Sequence, residues 1–168
     1  MASSLIIEDG TVIPTANSYA AVADLRSFAK VRGATLPTAD ADCEVLLLKA
    51  MDFLQGLNYQ GNRFRPDIQI LDWPRANVMI EGWPHPYQEI PRQLIFAQCA
   101  LAIEAMTTDL LPTQDIGDAA GAKISETVGP VTTAYTNSGT VRRTPAMAKA
   151  EVHLRLLLRR QGLVAVRT

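Results

Sequence analysis

The most regular pattern of apolar and polar positions lies just past residue 38. Cys43, Leu46, Leu47, Ala50, Met51 and Leu54 recur at the three- and four-residue intervals of one helical face, which predicts an amphipathic helix from near Thr38 to Gly56. Ahead of it, Ala21, Val22, Leu25, Phe28 and Ala29 predict a helix that opens after Asn17, a favourable N-cap, and stops at Gly33. Leu5-Ile6-Ile7 reads as a short strand ended by the Asp9-Gly10 turn. A third helix is expected from Pro91, a favoured first helical residue, through Leu94 to Met106. It is apolar on nearly all sides, so neighbours within the subunit or between subunits must cover it. A last helix is expected with Thr144 as N-cap and Pro145 at its first position, running through Met147, Val152, Leu154, Leu157 and Leu158 to Gly162. Between the last two, Lys123–Val128 and Val131–Tyr135 flank Gly129-Pro130 and predict a β-hairpin over 123–136, which needs a partner because an isolated hairpin is marginal in water. The fold class that follows is mainly α: a compact helical bundle of about four helices with a small β-hairpin and a long irregular connector. It forms a single domain over 1–162 with a C-terminal tail at 163–168.

The connector, residues 57–90, breaks every helical period with Gly61, Pro66, Pro74, Gly82, Pro84 and Pro86. Irregular segments of this length inside a compact domain are usually functional or interfacial. Pro74 restricts Trp73 to an extended conformation, and the indole reads as a core anchor. Tyr59, Phe64, Trp83 and Tyr87 give the segment an aromatic-polar character that suits a subunit interface, and Val128, Val131 and Tyr135 of the predicted hairpin join that candidate surface.

Composition adds little until it is divided along the chain. With 48% hydrophobic and 20% charged residues the protein has the make-up of an ordinary globular domain, and no apolar run is long enough to span a bilayer. The first residues lack the basic and apolar regions of a secretory signal. Cys43 and Cys99 fall on apolar helical faces and read as buried free thiols. The net charge of −1 conceals an asymmetry. Residues 1–140 carry nine Lys/Arg against sixteen Asp/Glu, a net of −7. Residues 141–168 carry Arg142, Arg143, Lys149, Arg155, Arg159, Arg160 and Arg167 against Glu151 alone, a net of +6. Two readings of this basic arm stand side by side: a surface that meets something negative, or cations favoured by the dipole at a helix C-terminus.

Catalytic chemistry finds no pattern to build on. His85 sits between two prolines and His153 on a basic helix, neither near a nucleophile or carboxylate arrangement. No His, Cys or Asp cluster has metal-ligand spacing, and no glycine-rich phosphate loop occurs. Asp40 and Asp42 are explained by a helix N-terminus, and Asp67 and Asp72 read as solvated loop charges. The residues therefore point to a protein that is not an enzyme and holds no metal or cofactor. Nucleic-acid binding has more to support it. Arg155 and Arg159 are i, i+4 neighbours with Arg160 beside them, and Arg63-Phe64-Arg65 interleaves cation and aromatic, although no zinc-finger, RNP or helix-turn-helix signature is present.

Five segments carry a resemblance: Glu8-Asp9-Gly10-Thr11, Ala16-Asn17-Ser18-Tyr19, Ala50–Leu54 with Tyr59–Arg63, Leu71-Asp72-Trp73-Pro74-Arg75 with Ile90-Pro91, and Val128-Gly129-Pro130 leading to Tyr135. In this order and spacing the chain resembles the head–tail connector (adaptor) proteins of tailed bacteriophages, some of whose members are labelled DnaT-like. The C-terminal region departs from that pattern residue by residue. The resemblance implies a structural virion protein of the particle neck, assembled in the bacterial host cytoplasm. Its subunits form a homo-oligomeric ring, commonly dodecameric, under the portal protein. The ring extends the channel for genomic DNA without sequence-specific binding and docks a tail-side stopper or tail-completion protein. No membrane is involved. On that reading Arg155, Arg159, Arg160, Leu163, Val164, Val166 and Arg167 are the candidate portal contacts. The alternative is a single-stranded or non-specific nucleic-acid-binding module.

Overall fold

A computed structural model describes residues 4–111 and 145–159, with side chains of the second stretch described from Ala148 onward. Its elements are helices α1 (Val22–Val31), α2 (Asp40–Gln55), α3 (Arg92–Glu104) and α4 (Pro145–Leu154), and four two-residue strands. Strand β1 (Asn62–Arg63) pairs antiparallel with β2 (Arg75–Ala76), and β3 (Met79–Ile80) with β4 (Trp83–Pro84). The predicted hairpin at 123–136 and the tail at 163–168 lie outside the described residues.

The apolar stripe of α2 is buried at every expected position, together with Phe53. Helix α3 is the centre of the molecule: α1, α2 and α4 all pack on it, which is why its apolar residues need no single face. Leu94, Ala97, Cys99, Leu101 and Ala102 are all fully buried there. Pro91 caps α3 rather than opening it.

Three boundaries differ from expectation, two of them because backbone distant along the chain captured the group that local chemistry would have used. Helix α1 opens at Val22, five residues after Asn17. The Asn17 amide is spent on the N-terminal segment, accepting from Ile6 N–H (2.8 Å) and donating to Ser4 O (2.9 Å), while Asp24 accepts the Ala21 N–H at the helix start. Leu5–Ile7 makes only a single parallel bridge, Ile7 to Ser18, because its partner segment is equally short. Helix α4 ends at Leu154 instead of near Gly162. Beyond it, Leu157 O accepts Gln60 N–H and Arg159 N–H donates to Asn58 O, both at 2.9 Å, so the chain leaves the helix to lie beside residues 58–60.

Candidate interaction surface

The connector expected to be irregular is a built strap, organised from the inside by Trp73. Its indole is fully buried, the Trp73–Pro74 peptide is cis, and the ring meets Tyr59 and His85 edge-on at 6.0 and 5.9 Å between centroids. The backbone N–H of Trp73 donates to the Tyr19 hydroxyl (3.0 Å), which ties the strap to the turn before α1. That turn is held by Gln98 on α3, whose carbonyl accepts the N–H groups of Tyr19 (3.0 Å) and Ala20 (2.9 Å) and whose amide donates to Ser18 Oγ (2.8 Å) and Leu47 O (3.1 Å). The preceding loop is gathered by Glu8, a buried carboxylate accepting N–H bonds from Gly10, Val12 and Ile13. Burial raises the phenol pKa of Tyr19 and Tyr59 far above the ordinary range, so both remain neutral hydrogen-bonding groups.

Charge in the strap is matched internally. Asp72 is buried and accepts from Arg63 (2.9 and 3.1 Å), with Arg75 3.6 Å away. Arg75 also donates to Gln60 O (2.6 Å) and Gly61 O (2.9 Å), pinning the β1 edge. Burial lowers the pKa of its guanidinium, and Asp72 opposes that shift. Arg65 pairs with Asp67 at 2.9 Å and holds that carboxyl below the usual carboxylate range. Asp67 and Asp72 therefore belong to two separate ion pairs, and Asp72 is not the solvated loop charge that its context implied.

Among its exposed polar residues the strap also shows aromatic and apolar side chains to solvent. Trp83 is 79% exposed, and Tyr87, Met79, Ile68 and Ile70 are exposed as well. Phe64 lies against Tyr87 with ring centroids 4.6 Å apart. The β3–β4 hairpin carrying Met79 and Trp83 turns at Glu81-Gly82, both at positive φ (53° and 88°), the geometry that tight hairpins use.

Of the four connector aromatics expected at a subunit interface, Trp83 and Tyr87 are exposed and Phe64 is half-buried beside Tyr87. Tyr59 is corrected: at 2% exposure it belongs to the core, with its hydroxyl donating to Leu54 O. Of the basic-arm candidates, Arg155 and Arg159 are exposed and come together, though not as neighbours on a helix, since α4 has ended before both. They line an open groove of about 520 Å³ with Gln60, Gly61, Met79 and Glu81. Neither guanidinium has a carboxylate partner among the described residues. Arg160, Leu163, Val164, Val166, Arg167, Val128, Val131 and Tyr135 lie outside the described residues. Gln98 and Glu8 were missed by sequence reasoning. The signal at Gln98 was a lone amide inside an otherwise apolar helix, where a buried polar group must find partners.

Among the described residues no cluster of three His, Cys, Asp or Glu side chains is placed to hold a metal ion, and no helix is long and apolar enough to cross a membrane. His85 lies within hydrogen-bond distance of Glu89 O (3.0 Å), and His153 packs between Phe28 and Phe96.

The family model described as "Putative DnaT-like ssDNA binding protein" matches residues 3–168. The chain belongs to that family. The match spans every segment that carried the resemblance, from Glu8 to Tyr135. No curated protein and no solved structure matches the chain. The family description speaks of single-stranded DNA, and it attaches to a member whose strap cations are already matched by carboxylates.

Proposed function

We propose that this chain is a head–tail connector subunit: a non-catalytic virion protein whose compact helical bundle assembles into a ring, dodecameric by the resemblance, beneath a portal. The ring extends the DNA channel and offers a docking face to tail-side proteins. It belongs in the neck of the particle and is assembled in the host cytoplasm. The observation that carries this reading is the strap's outer face. A rigid platform with Trp83, Tyr87, Met79 and Ile70 outward has the composition of a protein–protein contact, where aromatics and Met are enriched. Its cations, Arg63 and Arg65, are neutralised in place, which removes the charge a phosphate backbone would need.

The test is to delete the gene from its parent phage or prophage and image the induced lysate by electron microscopy. Separate tails and emptied or leaking heads support the connector. Complementing the deletion with a Trp83→Ser, Tyr87→Ser variant should leave the same defect, since both side chains are exposed and their loss spares the core. Normally joined particles from the deletion, or a block before heads form, refute the reading.

The second reading, binding of single-stranded DNA, is favoured by the family description and by Arg155 and Arg159, which have no carboxylate partner among the described residues. It makes a numerical demand. Two phosphate contacts on a single strand give a slope of log affinity against log salt of about −1.4. Titration of a fluorescent oligothymidine at several salt concentrations measures that slope directly.

A further inference from the structure

Two depressions on the surface share no lining residue and carry mirrored chemistry. The first is the groove already described, where Arg155 and Arg159 face a single carboxylate, Glu81, beside the apolar side chains of Met79 and Leu156. The second, about 580 Å³, lies where the end of α3 crosses α2. There Asp52 and Asp109 face a single cation, Lys49, beside Leu110 and Leu111. All six charged side chains are exposed, and among the described residues none of them has an ion-pair partner. By contrast, Asp40 pairs with Arg26 and Glu104 with Lys149. Two positive charges and one negative on one face thus meet two negative and one positive on the other, each set next to exposed apolar surface.

We infer that the Arg155/Arg159 groove of one copy seats the Asp52/Asp109 face of the next. The minority charges favour the same register, with Glu81 toward Lys49 when the arginines meet the aspartates. Leu111, 57% exposed, then meets Met79 and Leu156. Trp83, on the same hairpin as Met79 and Glu81, extends the contact beyond the charged patch toward the area a specific interface requires. Because the two faces differ, the contact is head-to-tail, and repetition gives a ring when the rotation closes and a filament when it does not. The inference rests on the connector reading and names the seam between its subunits.

The experiment uses two full-length charge-reversed proteins. One carries Arg155→Glu and Arg159→Glu, and the other Asp52→Arg and Asp109→Arg. Sedimentation velocity of the parent chain should show assembly that grows with concentration. Each variant alone places like charges across the seam and should sediment as a single chain. An equimolar mixture pairs every altered face with its complement and should regain the parent's large species. Recovery on mixing cannot come from misfolded chains, so the result separates a broken contact from a broken fold. The milder Arg155→Gln, Arg159→Gln protein should fold as the parent does and associate at least about tenfold more weakly. A parent that remains a single chain overturns the inference, as do variants that assemble like the parent or a mixture that stays dispersed. The lysate imaging described above judges the connector reading separately, and a positive result there alongside indifferent variants would move the seam elsewhere.

Discussion

Replacing Gln98 with leucine should cost far more than its conservative volume implies. Gln98 is fully buried and all four of its bonds are to protein groups. Leucine keeps the packing, strands the Tyr19 N–H in the interior and leaves the Ala20 N–H only its longer bond to Ser18 Oγ (3.3 Å), while the Leu47 carbonyl keeps its place in the α2 ladder. An unsatisfied buried polar group costs about 1–3 kcal/mol. One stranded donor and one weakened one, with Ser18 Oγ kept by its bond to Ala20 O, give a loss of roughly 2–4 kcal/mol. That is a large share of the roughly 5–15 kcal/mol that holds a domain of this kind together. Urea unfolding followed by circular dichroism measures it as a fall in the midpoint at unchanged slope. Native-state hydrogen exchange supplies the local test: the Trp73 amide, which relies on the Tyr19 hydroxyl, should lose protection before the α2 core does. A loss below about 1 kcal/mol would mean that water or a backbone shift satisfies these groups, and the proposed route from α3 to the strap would be wrong.

Three further outcomes are expected. Asp72→Ala removes the carboxylate between Arg63 and the nearly buried Arg75 and should cost about 2–4 kcal/mol, whereas Asp67→Ala, in an exposed pair with Arg65, should leave the unfolding midpoint almost unchanged; equal effects in urea unfolding would contradict the burial argument. Burial pushes the Cys99 thiol up to about 12 and raises Cys43 as well, so a thiol-reactive disulfide reagent at neutral pH should label neither until the chain unfolds, and rapid labelling of the native protein would refute this. Burial, with Arg32 nearby, lowers the folded-state pKa of His153 below its unfolded value of about 6.5; the unfolded chain then binds the extra proton first, so stability should fall as pH drops through that value and recover above it, and His153→Phe should flatten this step in pH-dependent melting curves.

Periodicity made the helical skeleton readable because the side chains that define it also bury it. The α2 stripe and the all-round apolar α3 each state their surroundings locally: one faces a core on one side, the other is enclosed. Trp73 was readable as an anchor for the same reason. What the sequence concealed were groups whose partners lie far along the chain. Asn17 has the chemistry of a cap and serves residues 4–6 instead. Leu157 and Leu158 continue a helical pattern, yet the backbone there is committed to residues 58–60. Tyr59 stands among polar and aromatic neighbours that mark a surface, while its ring is enclosed by Trp73 and its hydroxyl by Leu54. Arg155 and Arg159 were singled out together, but the Glu81 that shares their groove sits on a hairpin that no local pattern announced.

These hidden long-range bonds bear on function because they set the strap's rigidity. A surface that must order itself on contact loses part of its interaction energy to entropy, and a preorganised one keeps it. Here the chain of bonds runs from Gln98 through the Tyr19 turn to Trp73, and from Asp72 through Arg75 to the β1 edge at Gly61, which lines the groove beside Met79 and Glu81. The proposed contact face is therefore positioned by residues that never reach it. Two perturbations distinguish the roles. Arg155→Glu with Arg159→Glu should abolish self-association and, in melts dilute enough that the parent too is a single chain, leave the melting temperature unchanged. Gln98→Leu should weaken association and lower the melting temperature together, even though its side chain is absent from both surface depressions. Sedimentation and melting measured on the same samples would separate the two. Unaltered association in a clearly destabilised Gln98→Leu protein would show that the groove keeps its shape without the interior network, and the rigidity argument would fail there.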